Sequence, residues 1–222
     1  MAIPQPILSK LQELEPDASF EGNLPRARSS SGSIYFAKVG IPREEEQYAG
    51  EAESLKAIGS AAPSLAPRVF CSGVTESGTP YFISEYKDIS SLTSRAASVL
   101  AKRMATELHA KSSPTGKFGF AIPTYCGVTK LSNGWFDRWD ECYTSMIGDL
   151  LDQLRRKGHF EHLCRKAERV KNEVIPKLLG PIDTQPVILH GDLWSGNAGV
   201  DTATGQPVIF DPASYYGHNE AE

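Results

Sequence analysis

His190-Gly191-Asp192-Leu193-Trp194-Ser195-Gly196-Asn197 is the stretch on which the reading turns, followed fourteen residues after Asn197 by Asp211 at the end of the apolar run Val208-Ile209-Phe210. It offers an aspartate, an asparagine five positions later, and a second aspartate at a strand end. Alone, such residues favour turns for local reasons, because Asp and Asn side chains bond nearby backbone. Together they meet a particular chemical need. Phosphoryl transfer asks protein for a carboxylate that accepts the hydroxyl proton and for oxygen donors that hold Mg²⁺ on the phosphates. Asp192 fits the first role, and Asn197 with Asp211 fits the second.

Working outward, the same chemistry needs a cation on a strand and a carboxylate to orient it. Lys38 lies inside Ile34-Tyr35-Phe36-Ala37-Lys38-Val39, a β-prone run ended by Gly40 and Pro42. Strand parity sends Lys38 to the face opposite Ala37 and Val39, which is how a strand lysine reaches a cleft. Glu51 and Glu53 follow on a helix expected over 44–58. Either residue type alone reads as solvated surface. In this chain order the four parts match a protein-kinase-like site.

The rest of the pattern is consistent with a mixed architecture. Ile7, Leu8, Leu11 and Leu14 share a helical face that Pro16 stops. Residues 20–33 read as a polar loop. Two strands, 68–75 and 79–86, flank Glu76-Ser77-Gly78 as a hairpin. After Lys87 helical spacing dominates, over 90–110, 135–157 and 160–179, with an irregular stretch over 112–134 between the first two. Short strands are expected at 187–189 and 208–210.

Composition sets the outer limits. The chain has 222 residues, 40% of them hydrophobic and 23% charged, with net charge −4. That excludes wholesale disorder and argues against a nucleic-acid partner bound through bulk positive charge. No apolar run approaches the ~20 residues that span a bilayer, so no membrane partner is expected. Met1-Ala2-Ile3-Pro4 shows no basic region followed by an apolar block. Cys71, Cys126, Cys142 and Cys164 are too widely spaced for a disulfide framework, so a cytoplasmic protein with reduced thiols is expected.

The eight-residue stretch, with Phe210-Asp211-Pro212-Ala213 and Tyr215-Tyr216-Gly217-His218, closely resembles the fructosamine/ketosamine-3-kinase family, also called protein-ribulosamine 3-kinases. Phe118-Gly119-Phe120, Asn133-Gly134-Trp135 and the Gly50-Glu51-Ala52-Glu53-Ser54-Leu55 helix fit the same family. Aminoglycoside and choline kinases share only the looser H-G-D-x-x-x-x-N pattern, and Trp194 and Asp211-Pro212-Ala213 separate the chain from them. A non-catalytic nucleotide-binding protein is the other alternative.

The resemblance implies an α+β, two-lobed protein-kinase-like fold, with a small lobe over 1–86 and a helical lobe over 87–222. Next to the family that helical C-terminal lobe is incomplete, because members continue for several helices beyond Tyr-Tyr-Gly-His. It implies ATP and Mg²⁺ as cofactors, and glycated proteins or small ketosamines as substrates. It makes Lys38 the phosphate lysine, Glu51 its partner, Glu85-Tyr86-Lys87 the adenine-holding hinge, and Trp194 a wall of the sugar pocket. Two departures stand out. The candidate phosphate loop, Arg28-Ser29-Ser30-Ser31-Gly32-Ser33 with Ser31 and Gly32 at its tip, has one glycine where the protein-kinase pattern has three. Glu222 stands where the family usually has Asp. Pro212 fixes its own φ, so Asp211 is expected to keep one orientation.

Overall fold

A computed structural model of the chain describes residues 3–222. Met1 and Ala2, which opened the segment read as lacking a leader, lie outside the described residues. Helix α1 (Gln5–Leu14) carries Pro6 in its first turn, where a missing N–H breaks no helical bond, and buries Ile7 and Leu11 one turn apart. Strands β1 (Phe20–Asn23), β2 (Arg26–Ser29) and β3 (Ile34–Val39) follow, then helix α2 (Glu45–Ala61) and strands β4 (Val69–Val74) and β5 (Pro80–Glu85). All five strands form one antiparallel sheet in the order β1-β2-β3-β5-β4.

Parity sorts this sheet into two faces. Tyr35 and Ala37 of β3 join Ala27, Tyr81 and Ile83 beneath Ile7 and Leu11 of α1. Phe36 and Phe82 point to the other face and meet Tyr48, Ala52, Leu55 and Ile58 of α2. The expectation of a polar loop over 20–33 is corrected, because β1 and β2 pair residue for residue and β2 pairs β3. Their only buried side chains are Ala27 and Ser29, too small to print a period-two apolar signal. Pairing with β3 makes them strands, not their own composition.

Strand β6 (Ile89–Ser91) precedes helix α3 (Ser94–Arg103), whose N-cap Thr93 accepts the Ala96 N–H at 3.2 Å. A wide turn over Met104–Leu108 extends α3. Short strands β7 (Phe118–Phe120), β8 (Thr124–Cys126), β9 (Thr129–Leu131) and β10 (Gly134–Phe136) occupy the stretch read as irregular. Helix α4 (Trp139–Lys157) is followed by α5 (Glu161–Arg169), which runs through a wide turn over Val170–Val174 into α6 (Ile175–Leu179). Strands β11 (Val187–Leu189), β12 (Ala198–Asp201), β13 (Pro207–Ile209) and β14 (Tyr215–Gly217) complete the fold.

These later strands make small antiparallel sheets, β10-β7-β14-β11 and β13-β12-β6, plus the two-stranded β8-β9 hairpin. Gly119 on β7 has φ +111°, and a Cβ there would fall 1.7 Å from the Gly134 carbonyl oxygen, so only glycine lets β7 close on β10. A single core runs from Ile58 of α2 and Phe82 of β5 to Ile188, Leu189 and Ile209, joining the first sheet to the strands around the candidate site. Among the described residues no helix is long and apolar enough to cross a membrane.

Leu11 is fully buried between α1 and the sheet. We expect Leu11→Ala to cost about 2–5 kcal/mol, read in urea unfolding as a lower midpoint with unchanged slope.

Candidate active site

Two adjoining cavities share Glu51 and Asp211 in their walls. One, of 250 Å³, is polar and lined by Lys38, Glu51, Asp192, Trp194, Asn197 and Asp211, with Gln47, Tyr125 and Gly127. The other, also 250 Å³, is an apolar slot between Phe36, Phe82 and Phe210, floored by the chain from Ser84 to Lys87 and edged by Pro25.

Lys38 reaches the polar cavity because β3 pairs it with Phe82 of β5, on the face that looks toward α2. Its ammonium donates to Glu51 Oε2 at 2.8 Å and sits 5.1 Å from the Tyr48 ring centroid. Burial works against this charge, but the Glu51 carboxylate outweighs it and holds the Lys38 pKa above its ordinary value. Glu51 is only 8% exposed. Burial pushes its carboxyl up to about 7 against the pull of Lys38, and the neighbouring Asp211 adds to the rise. One ammonium among these carboxylates leaves the cavity short of positive charge.

The loop from His190 to Asn197 joins β11 to β12, and hydrogen bonds tie it down throughout. His190 is fully buried; its Nε2–H donates to the Phe210 carbonyl at 3.0 Å, while its Nδ1 accepts from the Asp192 N–H at 3.3 Å. Burial lowers its pKa, so the ring is a neutral linker between the two strand ends. Asn197 is buried, and its Nδ2 donates to the Asp192 carbonyl at 2.9 Å, to Asp192 Oδ2 at 3.3 Å and to the Asp211 carbonyl at 3.4 Å. The amide nitrogen is thus spent on orienting the two aspartates, which leaves the side-chain oxygen for a ligand. Asp211 adopts φ +53°, a left-handed conformation that aspartate tolerates better than most residues.

Glu222, noted in the sequence only as standing where the resembled family usually has Asp, anchors the loop. Its Oε2 accepts the His190 N–H at 2.7 Å and its Oε1 the Gly191 N–H at 3.1 Å, with His109 beside it at 3.4 Å. One carboxylate therefore holds the start of the loop by its backbone.

Of the residues singled out from sequence, Lys38, Glu51, Asp192, Trp194, Asn197 and Asp211 come together in one cavity, and Glu85, Tyr86 and Lys87 line the other. Trp194 is 62% exposed, at the rim. The Lys87 ammonium is engaged elsewhere, 2.7 Å from Glu85 Oε1 and 3.1 Å from Asp201 Oδ2, so it offers a ligand only its backbone. Ser31 and Gly32 are corrected: they line neither cavity. They lie in the turn between β2 and β3, where the Ser31 hydroxyl donates to Glu15 Oε2 at 2.8 Å alongside Ser29, while Tyr35 donates to Oε1. The turn that does edge the slot is Leu24-Pro25, between β1 and β2. Sequence reading passed over it because it lacks the expected glycines, and passed over Tyr125 and Gly127 because they lie in a hairpin whose strands are only three residues long.

A small antiparallel sheet with a lysine paired to a helix glutamate, facing a loop with Asp and Asn and a strand-end Asp, defines a protein-kinase-like fold. Solved structures agree. A candidate fructosamine-3-kinase from Thermobifida fusca superposes with TM-score 0.75 at 22% identity, covering 96% of this chain and 75% of that one. A thermostable mutant of the aminoglycoside phosphotransferase APH(4)-Ia, in complex with AMP-PNP and hygromycin B, superposes with TM-score 0.60 at 14% identity, covering 97% of this chain and 74% of that one. The chain belongs to the fructosamine kinase family, whose sequence model matches residues 21–222. The chloroplastic protein-ribulosamine 3-kinase of Oryza sativa subsp. japonica is 31% identical over 201 residues, which cover 90% of this chain and 58% of that protein. The ketosamine-3-kinase of Mus musculus is 30% identical over 210 residues, covering 84% and 67%. The chain thus spans little more than half the length of the rice relative.

Burial raises the Glu222 pKa, but the His109 bond and the two backbone N–H groups outweigh it and hold the carboxyl below its usual range. A depressed folded pKa contributes stability above the unfolded value and loses it as pH falls through the folded one. The stability gap between the native chain and Glu222→Gln, followed by urea unfolding, should therefore close as pH drops from roughly 7 to roughly 3.

Proposed function

We propose that the chain transfers the γ-phosphoryl group of ATP to the 3-hydroxyl of a ketosamine, the sugar-amine adduct of a glycated amine or protein, and so promotes deglycation. The observation that carries this reading is the shared wall: an apolar slot sized for a flat base adjoins a polar cavity that holds Asp192, and Glu51 and Asp211 line both. Family membership and the names of the relatives support the ketosamine substrate. We take the cleft to lie between a small unit of residues 1–86 and a helical unit of 87–222.

In this mechanism the base lies between Phe36, Phe82 and Phe210 and bonds backbone groups of Glu85–Lys87. The Leu24-Pro25 turn edges the base slot, and Lys38, braced by Glu51, neutralises part of the phosphate charge. Asp192 orients the sugar hydroxyl and accepts its proton as oxygen attacks the γ-phosphorus in line and ADP leaves. Trp194 walls the sugar at the rim.

The donor set suits Mg²⁺. That ion keeps several waters and uses few protein carboxylates, so the Asn197 oxygen and the Asp211 carboxylate suffice beside phosphate oxygens. Three carboxylates, Glu51, Asp192 and Asp211, against the single ammonium of Lys38 in the lining support a cation there. When bound, the ion would neutralise charge on the phosphates. The four cysteines are free thiols, which fits a reducing compartment such as the cytoplasm.

Asp192→Ala should lower turnover about 10²–10⁴-fold, in a coupled ADP-release assay on fructosyl-lysine. ATP affinity, measured by calorimetry, should stay near that of the native chain. Lys38→Met should weaken both. A panel of fructosyl-lysine, ribulosyl-lysine, an aminoglycoside and choline separates the substrate classes. Turnover of only the last two, or ATP binding with no turnover at all, would replace the ketosamine reading.

A further inference from the structure

The Lys38–Glu51 pair is only as well placed as α2, and α2 is gripped from outside its own sheet. The β8–β9 hairpin packs along it. A Cβ on Gly50 would come within 2.4 Å of the Pro123 carbonyl oxygen and 3.3 Å of Thr124 Cα, so the hairpin backbone touches the helix backbone one residue before Glu51. Gln47 Nε2 donates to the Gly127 carbonyl at 3.1 Å. The Glu46 carboxylate accepts from Lys130 Nζ at 2.6 Å and from the Tyr125 hydroxyl.

The hairpin's other side is anchored in the helical part of the molecule. Gln153 of α4 bonds both the Lys130 N–H, at 3.3 Å, and the Lys130 carbonyl, at 2.7 Å. Asp149 of α4 accepts the Ser132 N–H at 2.7 Å. Asn133 Nδ2 donates to the Ile122 carbonyl at 2.8 Å and to Thr124 Oγ1 at 3.0 Å, closing the hairpin base. The Cys126 thiol donates to the carbonyl of Gly191, in the loop that carries Asp192, at 3.6 Å. One short element therefore touches α2, α4 and the candidate catalytic loop at once.

We propose that the β8–β9 hairpin is a brace that fixes the seat of α2, with Gly50, Glu46 and Lys130 as positioning residues for the Lys38–Glu51 pair. The backbone approach at Gly50 is the principal restraint. The Glu46–Lys130 pair is secondary, because both partners are about 40% exposed and exposed ion pairs are weak. On the buried side, the Ser54 hydroxyl accepts the Ser214 N–H at 3.1 Å, so α2 is held from both flanks. These contacts hold α2 in register for Glu51. Tyr125 and Gly127 of the same hairpin wall the polar cavity, so what holds Glu51 also shapes the room for the acceptor.

The consequence for turnover rests on the phosphotransfer reading above; the positioning itself does not. The test therefore reads Lys38 directly, through its rate of acylation by an amine-directed reagent, mapped by mass spectrometry in the full chain. Paired with Glu51 the ammonium is protonated and slow; loosened in a half-buried site it loses protons more readily and reacts faster. Glu51→Gln sets the upper limit. In mid-helix, alanine is intrinsically favoured over glycine, so local propensity alone would leave Gly50→Ala no worse than the native chain. We expect the opposite: a folded Gly50→Ala protein, by circular dichroism, whose Lys38 labels at a rate approaching that of Glu51→Gln. Its turnover should fall about tenfold or more, as displacements of about 1 Å can do. Glu46→Lys should accelerate labelling, and the exchanged pair Glu46→Lys/Lys130→Glu should bring it back toward the native rate. Native labelling in Gly50→Ala, or an exchanged pair no closer to native than Glu46→Lys alone, overturns the brace. If Gly50→Ala does not fold, the exchanged pair decides. A native chain that phosphorylates no ketosamine sinks the functional reading and leaves the labelling result to stand.

Discussion

Placing a carboxylate as deep as Glu51 requires a partner, because a buried unpaired charge is far costlier than a hydrogen-bonded ion pair. Lys38 is that partner, at 2.8 Å, and meeting that distance constrains much of the surrounding architecture. The strand must present Lys38 on the α2 side, which fixes the parity of β3 and with it the burial of Tyr35 and Ala37 under α1. The helix must present Glu51 inward, which sets Tyr48, Ala52, Leu55 and Ile58 on the same buried side and so builds its packing on Phe82. Burial pushes the Glu51 carboxyl up to about 7 against the pull of Lys38, and Asp211 beside it adds to the rise.

The loop that faces this pair solves a different problem, keeping two aspartates and an asparagine in fixed relation without burying them in sheet. It does so with hydrogen bonds to its own backbone. Buried and neutral, His190 links Asp192 to Phe210, the residue before Asp211. Asn197 ties the same two aspartates together. Glu222 holds the first two residues of the loop by their N–H groups. Rigidity of this kind suits a reaction in which positioning and electrostatics do most of what a protein can contribute.

Much of this was readable along the chain. The helix ended by Pro16, the β-prone run around Lys38, and the hairpin at Glu76-Ser77-Gly78 all carry local signals strong enough to survive tertiary context. The eight residues from His190 to Asn197, with Asp211, name a chemistry because their spacing is rare for chance turn residues. Other pieces carried no such signal. Strands β1 and β2 expose charged and polar side chains and bury only Ala27 and Ser29, so they resemble a loop until β3 pairs with them. The serine-rich turn looked like a phosphate cradle by composition, yet Glu15 gathers its hydroxyls on the far side of the sheet. Three-residue strands such as β8 and β9 are shorter than any periodicity can show.

The sequence by itself determined which groups are present and in what order: a strand lysine, a helix glutamate, and a loop with Asp192, Asn197 and Asp211. It could do so because local backbone preference and motif spacing are properties of neighbours in the chain. Only the tertiary structure decided which turn edges the base slot, that the Lys87 ammonium is spent on Glu85 and Asp201, and that Gly50 lets the β8–β9 hairpin touch α2. Those outcomes depend on contacts between residues up to 114 positions apart, as for Lys87 and Asp201, and no local pattern encodes a distance that the folded core alone establishes.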